Sequence, residues 1–522
     1  MSPLPQSADR PGRAWRLTLW LVGVLTVLRL LALFATPFEL YPDEAQYWLW
    51  SRELAFGYFS KPPMIAWLIW ATTGIGGDAE PWVRLAAPLL HACTALIIFR
   101  IAQRLYTSGT GLAAAAFYAL MPGIQLSSGV ITTDAPLLFF LSLTIWAYVA
   151  LPSAEARRRL PLSAGLGAAL GLAFLSKYAA VYALAGLAAH LAASREARQA
   201  WTIPMVAVAL AALAVIFTPN LVWNLTHHFA TIEHTASNAN WNAKSLFNIR
   251  ELMEFIGSQF GVFGPVPFAV LAGGTIGLAP RRKLEPADLL MLCLALPPLL
   301  TVGAQAFVSR ANANWAGVAY IAGSILAAAW LLRWNARRWL IAGLALQAAF
   351  CAMFMVIMVK PRVADSLGAA NSFKRVRGWE QSVEAVVERA REEQLNGGLT
   401  AVATDDRFLF NAAAYYGRDY FGKPGAPPLR MWVHEAKPQN QAETEFPLNA
   451  ALGQRALVAS FEGGYRPEIE QDFAKSSGLQ IVRVGLDRKH TRRTDLFVAE
   501  GFQPLPRDPV TGLPPAPTRK PE

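Results

Sequence analysis

Apolar stretches follow one another through the first 360 residues of this chain, and most are long enough to cross a lipid bilayer. An α-helix needs roughly 20 apolar residues to span the hydrocarbon core. Because backbone polar groups in lipid must be paired within the chain, such segments fold as helices, and the chain is predicted to be a polytopic α-helical membrane protein. About eleven candidate spans lie at 17–38, 81–105, 111–128, 135–151, 162–177, 178–193, 201–219, 255–279, 287–307, 312–332 and 338–358.

Composition agrees with this class. Hydrophobic residues make up 54% and charged residues 16% of the chain, whereas soluble domains carry about 25% charged residues. The three cysteines all lie in apolar runs, so neither a disulfide framework nor a thiolate metal site is expected. The net charge of +11 comes largely from basic residues between the spans, so we expect membrane lipids as neighbours and no nucleic acid.

The basic residues also predict an orientation. They cluster in alternate loops, as the positive-inside rule requires if the N-terminal tail 1–16 is cytoplasmic. The basic loops contain Arg100 and Arg104; Arg157 to Arg159; Arg195 and Arg198; Arg281, Arg282 and Lys283; and Arg333, Arg337 and Arg338. An odd number of spans then places residues 361–522 outside the cytoplasm, which predicts a multi-pass membrane protein with an extracytoplasmic C-terminal region.

The first outer loop holds the segment YPDEAQYWLWSRELAFGYFSKPP, residues 41–63. We predict a short interfacial helix from Asp43 to Phe56, with Trp48 and Trp50 at headgroup level. Asp43 and Glu44 would occupy its first turn, where the helix dipole favours negative charge. A capped amphipathic connector without a catalytic role would show the same pattern, so both interpretations stay open.

Further ionisable residues belong to the same predicted face. Asp134 stands at the mouth of a span, Lys177 between two apolar runs, and Lys61 near the end of the segment 41–63 in the first outer loop. Charged residues at membrane depth are costly and are candidates for function. Their structural alternatives are a helix N-cap for Asp134, a snorkelling lysine for Lys177 and lipid-headgroup contact for Lys61. We expect these three side chains and Asp43 to converge on one pocket.

Carboxylates and lysines at an outer membrane surface suit one kind of chemistry. A carboxylate can accept a proton from an attacking hydroxyl, and a lysine can neutralise a phosphate as a point charge. Together they fit displacement at an anomeric carbon whose leaving group is a lipid-linked phosphate. We therefore expect a polyprenyl-phosphate-sugar donor and a lipid or glycan acceptor.

Several motifs resemble one family. The Asp-Glu after the first span, KPP at 61–63, TTDAP at 132–136, SKY at 176–178, the segments 220–242, 255–265 and 310–317, and more weakly ATDDRFLFNAAAYYGRD are similar to GT-C fold membrane glycosyltransferases. The bacterial family 39 proteins of the RgtA/B/C/D-like type are the nearest group, related to protein O-mannosyltransferases and the lipid A aminoarabinose transferase. The resemblance covers about residues 15–360, and it implies a multi-pass protein of a bacterial inner membrane whose active site and C-terminal domain are periplasmic.

The resemblance implies roles for individual residues. Asp43 matches the acid of the first outer loop, the expected catalytic base, and Glu44 is its partner. Asp134 matches the second acidic site. Lys61 and Lys177 match lysines that hold the donor phosphate, but Ser60 precedes Lys61 where the family has an acid, so no role for an acid is carried over there.

The segment 220–250 and its surroundings supply further candidates. Tandem His227 and His228 with Glu233 could bind a divalent cation, although the spacing matches no tight metal motif, and the metal question stays open. Hydrogen bonds to sugar hydroxyls and a polar cap over the cavity are the alternatives. Arg310 could contact the donor phosphate or anchor a helix end. The predicted sugar or acceptor contacts are Tyr58, His227, His228, Asn240, Trp241 and Asn314.

Composition changes after residue 360, where charges become dense. Residues 361–503 are predicted to form a small extracytoplasmic α/β domain, with an amphipathic helix near 373–394 and strands in GLTAVATDD, RALVASF and LQIVRVGL. The Pro-rich segment 504–522 is predicted to be disordered. With 17–360 as the catalytic membrane domain, the whole pattern predicts an inverting glycosyltransferase, whose acceptor stays open among lipid A or core, another glycan, another lipid and a protein.

Two other classes of protein remain as alternatives. A transporter or flippase for lipid-linked sugars would also place ionisable groups among its spans, but it should show internal repeats with broken helices. A non-catalytic glycolipid-binding assembly protein would keep the basic residues and tolerate loss of Asp43.

Overall fold

The computed structural model describes residues 11–237, 247–278 and 284–517. The chain divides into two compact units. The membrane unit comprises Met1–Thr36 and Ala55–Val359, and the sheet unit comprises Pro37–Leu54 and Lys360–Glu522.

The membrane unit is built from helices. Numbered along the whole chain, its α-helices are α1 Pro11–Ala35, α3 Met64–Gly76, α4 Glu80–Arg84, α5 Ala86–Leu105, α6 Ser108–Leu120, α7 Pro122–Gly129, α8 Asp134–Ala150, α9 Ala156–Ser176, α10 Val181–Ala193, α11 Arg195–Ala200, α12 Ile203–Thr226, α13 Ala230–Ser237, α14 Ile249–Val262, α15 Pro265–Leu278, α16 Pro286–Val308, α17 Ala319–Arg333 and α18 Arg337–Val359. Short 3-10 turns lie at Leu151–Ser153, Tyr178–Ala180 and Ala313–Ala316.

The prediction of a polytopic helical membrane protein is confirmed. Among the described residues, 7 helices are long and apolar enough to cross a bilayer: Gly12–Ala35, Glu80–Leu105, Asp134–Ser153, Ala156–Ser176, Ile203–Thr226, Pro286–Val308 and Arg337–Val359. Shorter apolar helices lie at Met64–Gly76, Ser108–Leu120, Tyr178–Ala193, Pro265–Gly277 and Ala319–Arg333. The first of these, α3, was not predicted as a span, and the count of about eleven is therefore not reproduced.

Two predicted spans are each broken into two helices. The span 111–128 becomes α6 and α7 because Pro122 has no N–H with which to continue the first helix. The span 255–279 breaks at Gly264, whose φ of +102° precedes Pro265. A Cβ at Gly264 would also lie 2.8 Å from Gln347 Nε2. Local backbone chemistry therefore interrupts stretches that apolar content alone joins together.

Close helix contacts and buried polar bonds hold the membrane unit together. A Cβ at Gly167 on α9 would lie only 1.9 Å from the carbonyl oxygen of Ala209 on α12, as expected where small residues let helices approach in lipid. Arg29 on α1 is 4% exposed. Its guanidinium donates to Gln125 Oε1 at 2.9 Å and to the Ala119 carbonyl at 2.6 Å, so these bonds tie the buried side chain to α6 and α7.

The sheet unit carries one five-stranded sheet. Its strands are β1 Ala401–Thr404, β2 Leu429–Met431, β3 Arg455–Phe461, β4 Phe473–Gly485 and β5 Thr491–Phe502. Their spatial order is β2-β1-β3-β5-β4. β1 pairs in parallel with β2 and β3, whereas β5 pairs antiparallel with β3 and β4. The register places Val402 beside both Leu429 and Leu457.

Helices of the sheet unit are α2 Pro42–Trp50, α19 Arg362–Ser366, α20 Trp379–Leu395, α21 Arg407–Tyr416, α22 Arg418–Phe421, α23 Gln441–Glu445 and α24 Arg466–Gln471, with a 3-10 helix at Ala370–Val376. The predicted α/β character is confirmed, and RALVASF forms β3. β2 and β5 were not predicted, because β2 has only three residues and β5 begins with the charged sequence TRRTD.

Part of the first outer loop belongs to the sheet unit. The helix predicted from Asp43 to Phe56 is the shorter α2, and it packs on α21. Trp48 meets Tyr415 edge-to-face with ring centroids 5.0 Å apart. Trp48 and Trp50 are 5% and 4% exposed, so both are buried within this unit rather than presented at headgroup level.

The segment predicted to be a disordered tail has contacts well past residue 503. Arg507 Nη2 donates to Asp472 Oδ2 at 2.9 Å and to the Val433 carbonyl at 2.9 Å. Ala436 N donates to the Gly512 carbonyl at 2.8 Å. The folded part of the sheet unit therefore extends beyond the predicted boundary at residue 503, because Arg507 in the Pro-rich segment forms an ion pair with the buried carboxylate of Asp472.

Candidate active site

An acid, a lysine and an asparagine meet in the membrane unit. Asp134 Oδ1 lies 2.7 Å from Lys177 Nζ, and Asp134 Oδ2 accepts a hydrogen bond from Asn314 Nδ2 at 3.1 Å. The side chains of Lys177 and Asp134 are 24% and 21% exposed. A charge-assisted bond between partly buried groups is short and strong, so the pair fixes both side chains.

Helix ends bring these residues together. Asp134 is the first residue of α8, where the helix dipole favours a carboxylate. Thr133 is the N-cap and its side chain makes no capping bond, so Asp134 does not act as the N-cap that the sequence offered as an alternative. Lys177 follows α9 with an extended backbone, which ends that helix before the turn at Tyr178. Asn314 lies in the 3-10 turn before α17.

Lys61 acts on the same carboxylate. Its positive charge attracts Asp134 electrostatically, in addition to the attraction from Lys177. The backbone carbonyl of Lys61 accepts a hydrogen bond from Tyr58 N at 3.0 Å, which closes the turn that carries the lysine. Three predicted residues, Asp134, Lys177 and Lys61, therefore belong to one electrostatic cluster.

Asp43 lies in the sheet unit. It occupies the first turn of α2, and its Oδ1 lies 3.2 Å from Arg407 Nη1. Arg407 Nη1 also donates to Gln46 Oε1 at 2.9 Å. The side chains of Asp43 and Arg407 are each 38% exposed. Sequence reasoning missed Arg407, although it stands within the ATDDRFLF motif that carried the weaker part of the resemblance.

Glu44 has a local structural role. Its Oε2 accepts a hydrogen bond from Tyr41 N at 2.8 Å, and the residue is 1% exposed. The carboxylate thus satisfies a backbone N–H that has no partner within the helix at the start of α2. Its predicted part in catalysis, and the predicted convergence of Asp43 with the three residues of the membrane unit, stay predictions.

The predicted sugar contacts differ in placement. Tyr58 is 2% exposed, and its hydroxyl accepts a hydrogen bond from Ala55 N at 3.1 Å, so its ring is part of the fold. His227 is exposed and stacks on Trp223 with centroids 4.1 Å apart. His228 is exposed with a φ of +53°. Asn240 and Trp241 lie outside the described residues.

Arg310 is exposed, and its backbone carbonyl accepts a hydrogen bond from Gln305 Nε2 at 3.2 Å. Within residues 11–237, 247–278 and 284–517, no group of three or more His, Cys, Asp or Glu side chains could hold a metal ion. The divalent cation considered from His227, His228 and Glu233 therefore has no ligand set in this part of the chain.

Comparison with known proteins assigns the chain to a family. Residues 60–223 match the family model described as dolichyl-phosphate-mannose-protein mannosyltransferase. The lipid A galacturonosyltransferase RgtD of Rhizobium johnstonii is 33% identical over 461 residues, which cover 87% of this chain and 93% of that protein. The chain belongs to the RgtD-like family of GT-C glycosyltransferases. The transporter and assembly-protein alternatives are thereby set aside.

Further relatives agree with this family. An undecaprenyl phosphate-alpha-4-amino-4-deoxy-L-arabinose arabinosyl transferase of Pseudomonas aeruginosa is 31% identical over 150 residues, 26% of this chain and 27% of that protein. The crystal structure of ArnT from Cupriavidus metallidurans in the apo state matches with a TM-score of 0.62 at 16% identity, covering 92% of this chain and 97% of that one. The structure of the same protein bound to undecaprenyl phosphate gives 0.61 at 18% identity. These structures show that the GT-C glycosyltransferase fold is shared.

Proposed function

We propose that this glycosyltransferase transfers a sugar from a polyprenyl-phosphate donor to lipid A on the periplasmic face of the inner membrane. RgtD, which is similar over nearly the whole chain, is named as a lipid A galacturonosyltransferase, so galacturonic acid is the sugar to test first. The ion pair between Asp134 and Lys177, with Lys61 beside it, is the observation that carries the proposal.

This cluster is suited to a phosphate. An ammonium group has three N–H donors, and the structure assigns one of those of Lys177 to Asp134. The remaining donors can reach a phosphate, while Asp134 and Asn314 hold the side chain in one direction. The two lysines outweigh the single carboxylate by one positive charge, so the cluster attracts an anion.

Asp43 would supply the base. In a single displacement, the acceptor hydroxyl attacks the anomeric carbon and gives its proton to the Asp43 carboxylate. A new carbon–oxygen bond forms as the bond from the anomeric carbon to the phosphate oxygen breaks, and the polyprenyl phosphate leaves with the electron pair. One displacement inverts the anomeric configuration. Lys61 and Lys177 would stabilise the charge that develops on the departing phosphate.

The ends of α8 support the orientation. Asp134 begins this helix, and at its other end Arg104 donates to the Ala150 carbonyl at 3.4 Å. A helix of 17 residues is about 25 Å long, so the acid–lysine cluster and a basic loop lie on opposite sides of the membrane unit. If basic loops are cytoplasmic, the cluster faces the periplasm.

The sheet unit would take part in acceptor binding. It contains Asp43 and Arg407, and it is formed by residues 37–54 together with the C-terminal region. We propose that this unit guides lipid A toward Asp43. We propose that donor binding belongs to the predicted catalytic domain 17–360 and that the predicted domain 361–503 contributes to acceptor access.

Mass spectrometry of lipid A from a deletion strain tests the proposal. Lipid A should lose the mass of one sugar residue, and a plasmid-borne wild-type copy should restore it. Lys177→Ala should fail to restore it, whereas the exposed control Arg338→Ala should restore it fully. Unchanged lipid A in the deletion strain would contradict lipid A as the acceptor.

A further inference from the structure

A hydrogen-bonded cluster around Tyr178 connects the two chain segments that carry the donor-site lysines. Tyr178 follows Lys177 directly in sequence. Its hydroxyl donates to Asn220 Oδ1 at 2.9 Å and accepts from Asn224 Nδ2 at 3.0 Å. Asn220 and Asn224 are one helical turn apart on α12 and are 0% and 1% exposed. Because buried amides are costly without partners, these bonds hold Tyr178 against α12.

The same cluster holds the segment that leads to Lys61. Asn220 Nδ2 donates to the Phe56 carbonyl at 2.6 Å, so a single carboxamide links Tyr178 to this segment. Thr231 on α13 donates to the Tyr58 carbonyl at 2.7 Å, and Tyr58 N donates to the Lys61 carbonyl. Thr231 is fully buried.

Packing adds a second contact between this segment and α12. A Cβ at Gly57 would lie 2.3 Å from the ring of Trp223, so the backbone here lies directly against the indole. The position of residues 56–61 is thus set by α12 and α13 through backbone bonds and close packing. No lysine side chain takes part in these contacts.

We propose that Tyr178 is a positioning residue that sets the separation of Lys61 and Lys177 for the donor phosphate. It acts through Asn220 on one segment and through its peptide bond to Lys177 on the other. The inference rests on the proposed function, since it assumes that the two lysines bind the phosphate of the donor. Two point charges stabilise one phosphate well only when their spacing matches it.

The test uses the full-length protein in lipid nanodiscs and the variant Tyr178→Phe, which keeps the ring and removes the hydroxyl. Tyr182→Phe is the matched control, because Tyr182 is a nearby half-buried tyrosine whose hydroxyl has no hydrogen-bond partner in the described chain. Steady-state transfer is measured with donor and acceptor varied separately. Binding of undecaprenyl phosphate is measured directly.

Tyr178→Phe should raise the KM for the donor and weaken undecaprenyl-phosphate binding by about tenfold. A tenfold loss of affinity corresponds to the net free energy of about one hydrogen bond. kcat and the acceptor KM should change by less than about twofold. The double variant Lys61→Ala/Tyr178→Phe should bind undecaprenyl phosphate no more weakly than Lys61→Ala alone. Without Lys61 there is no separation of two lysines for Tyr178 to set, so the two losses do not add.

A second variant covers the case in which Tyr178→Phe does not fold. Thr231→Val is nearly isosteric and removes the hydroxyl that donates to the Tyr58 carbonyl and also interacts with the Tyr178 hydroxyl, so it should show the same rise in donor KM. An unchanged donor KM in the folded variants, or an equal loss in kcat and both KM values with a lower Tm, would overturn the positioning role.

Failure of the inference can be told from failure of the proposed function. If Lys61→Ala and Lys177→Ala bind undecaprenyl phosphate as tightly as the wild type, the lysine site is wrong and the positioning role fails with it. If both lysine variants bind weakly and Tyr178→Phe binds normally, only the positioning role is overturned.

Discussion

Lys177 Nζ lies 2.7 Å from Asp134 Oδ1, and this ion pair ties the end of α9 to the start of α8. The two residues are far apart in sequence, and each stands where a helix ends. Both side chains are about a fifth to a quarter exposed, so the pair is neither a surface contact nor fully removed from solvent. It positions an ammonium group at the proposed donor site.

Replacing one member of the Asp134–Lys177 ion pair should lower both the stability of the protein and its transfer activity. Lys177→Met leaves the Asp134 carboxylate partly buried without its cation, and Asp134→Asn leaves the ammonium without its anion. We expect each to destabilise the protein by about 1–2 kcal/mol, less than for a fully buried pair because solvent screens the charges. Thermal unfolding in detergent measures this loss.

The double variant Asp134→Asn/Lys177→Met separates the two effects. It should recover most of the lost Tm, because neither charge remains unpaired, while transfer stays as low as in Lys177→Met. Recovery of transfer in the double variant would show that the ion pair is structural only.

Asp43→Asn should abolish the proposed base without disturbing donor binding. An amide cannot accept the proton, so kcat should fall by about 10²–10⁴-fold, while the affinity for undecaprenyl phosphate stays within twofold. Glu384→Gln, an exposed acid on α20 of the same unit, is the control. Normal transfer by Asp43→Asn would remove Asp43 from the mechanism.

Arg407→Ala should act through Asp43. The guanidinium contacts both Asp43 and Gln46, so its loss lets the carboxylate turn away from the acceptor. We expect kcat to fall by about tenfold, and Asp43→Asn/Arg407→Ala to be no slower than Asp43→Asn alone. Additive losses in kcat would mean that Arg407 contributes independently, for example by contacting the acceptor itself.

Stability of the sheet unit should depend on pH through Asp405. Burial raises the pKa of Asp405 to about 7. Its carboxyl oxygens accept hydrogen bonds from the Ser460 hydroxyl and from Phe461 N. The unfolded chain loses this proton near pH 4, whereas the folded chain keeps it until about pH 7. The unfolded state therefore binds fewer protons in this window, and the Asp405 contribution to stability falls as pH rises from about 4 to about 7.

The comparison of wild type with Asp405→Asn measures this effect. The Tm of the wild type, relative to that of Asp405→Asn, should fall steadily across this pH window. Glu380→Gln, an exposed acid, should show no such relative change. A constant difference in Tm between wild type and Asp405→Asn would mean that Asp405 keeps an ordinary pKa in the folded protein.

Apolar content predicted the membrane fold, because the period and length of such runs follow from bilayer thickness. It could not predict the breaks at Pro122 and Gly264, where a single residue decides the outcome, or the short apolar helix α3. It also gave no sign that Arg29, inside the first apolar run, would be buried against Gln125. Pairings of that kind depend on which helices become neighbours.

The candidate site was predicted in part. Asp134, Lys177 and Asn314 were chosen from their place at span ends or from a motif, and they meet in space. Arg407 and Tyr178 were missed because their importance arises from long-range contacts, with Asp43 and with Asn220 respectively. Glu44 was assigned to catalysis as the partner of Asp43, which stays a prediction, and its hydrogen bond to Tyr41 N shows a structural part that the sequence did not indicate.

Reconstituted transfer tests the central claim most directly. Purified protein in nanodiscs is given lipid A and polyprenyl-phosphate-linked galacturonic acid, and the products are followed by mass spectrometry. The account predicts glycosylated lipid A and free polyprenyl phosphate in equal amounts from the wild type, and neither from Lys177→Ala or Asp43→Asn. Equal product from all three proteins, or no product with this donor or with its aminoarabinose counterpart, would contradict it.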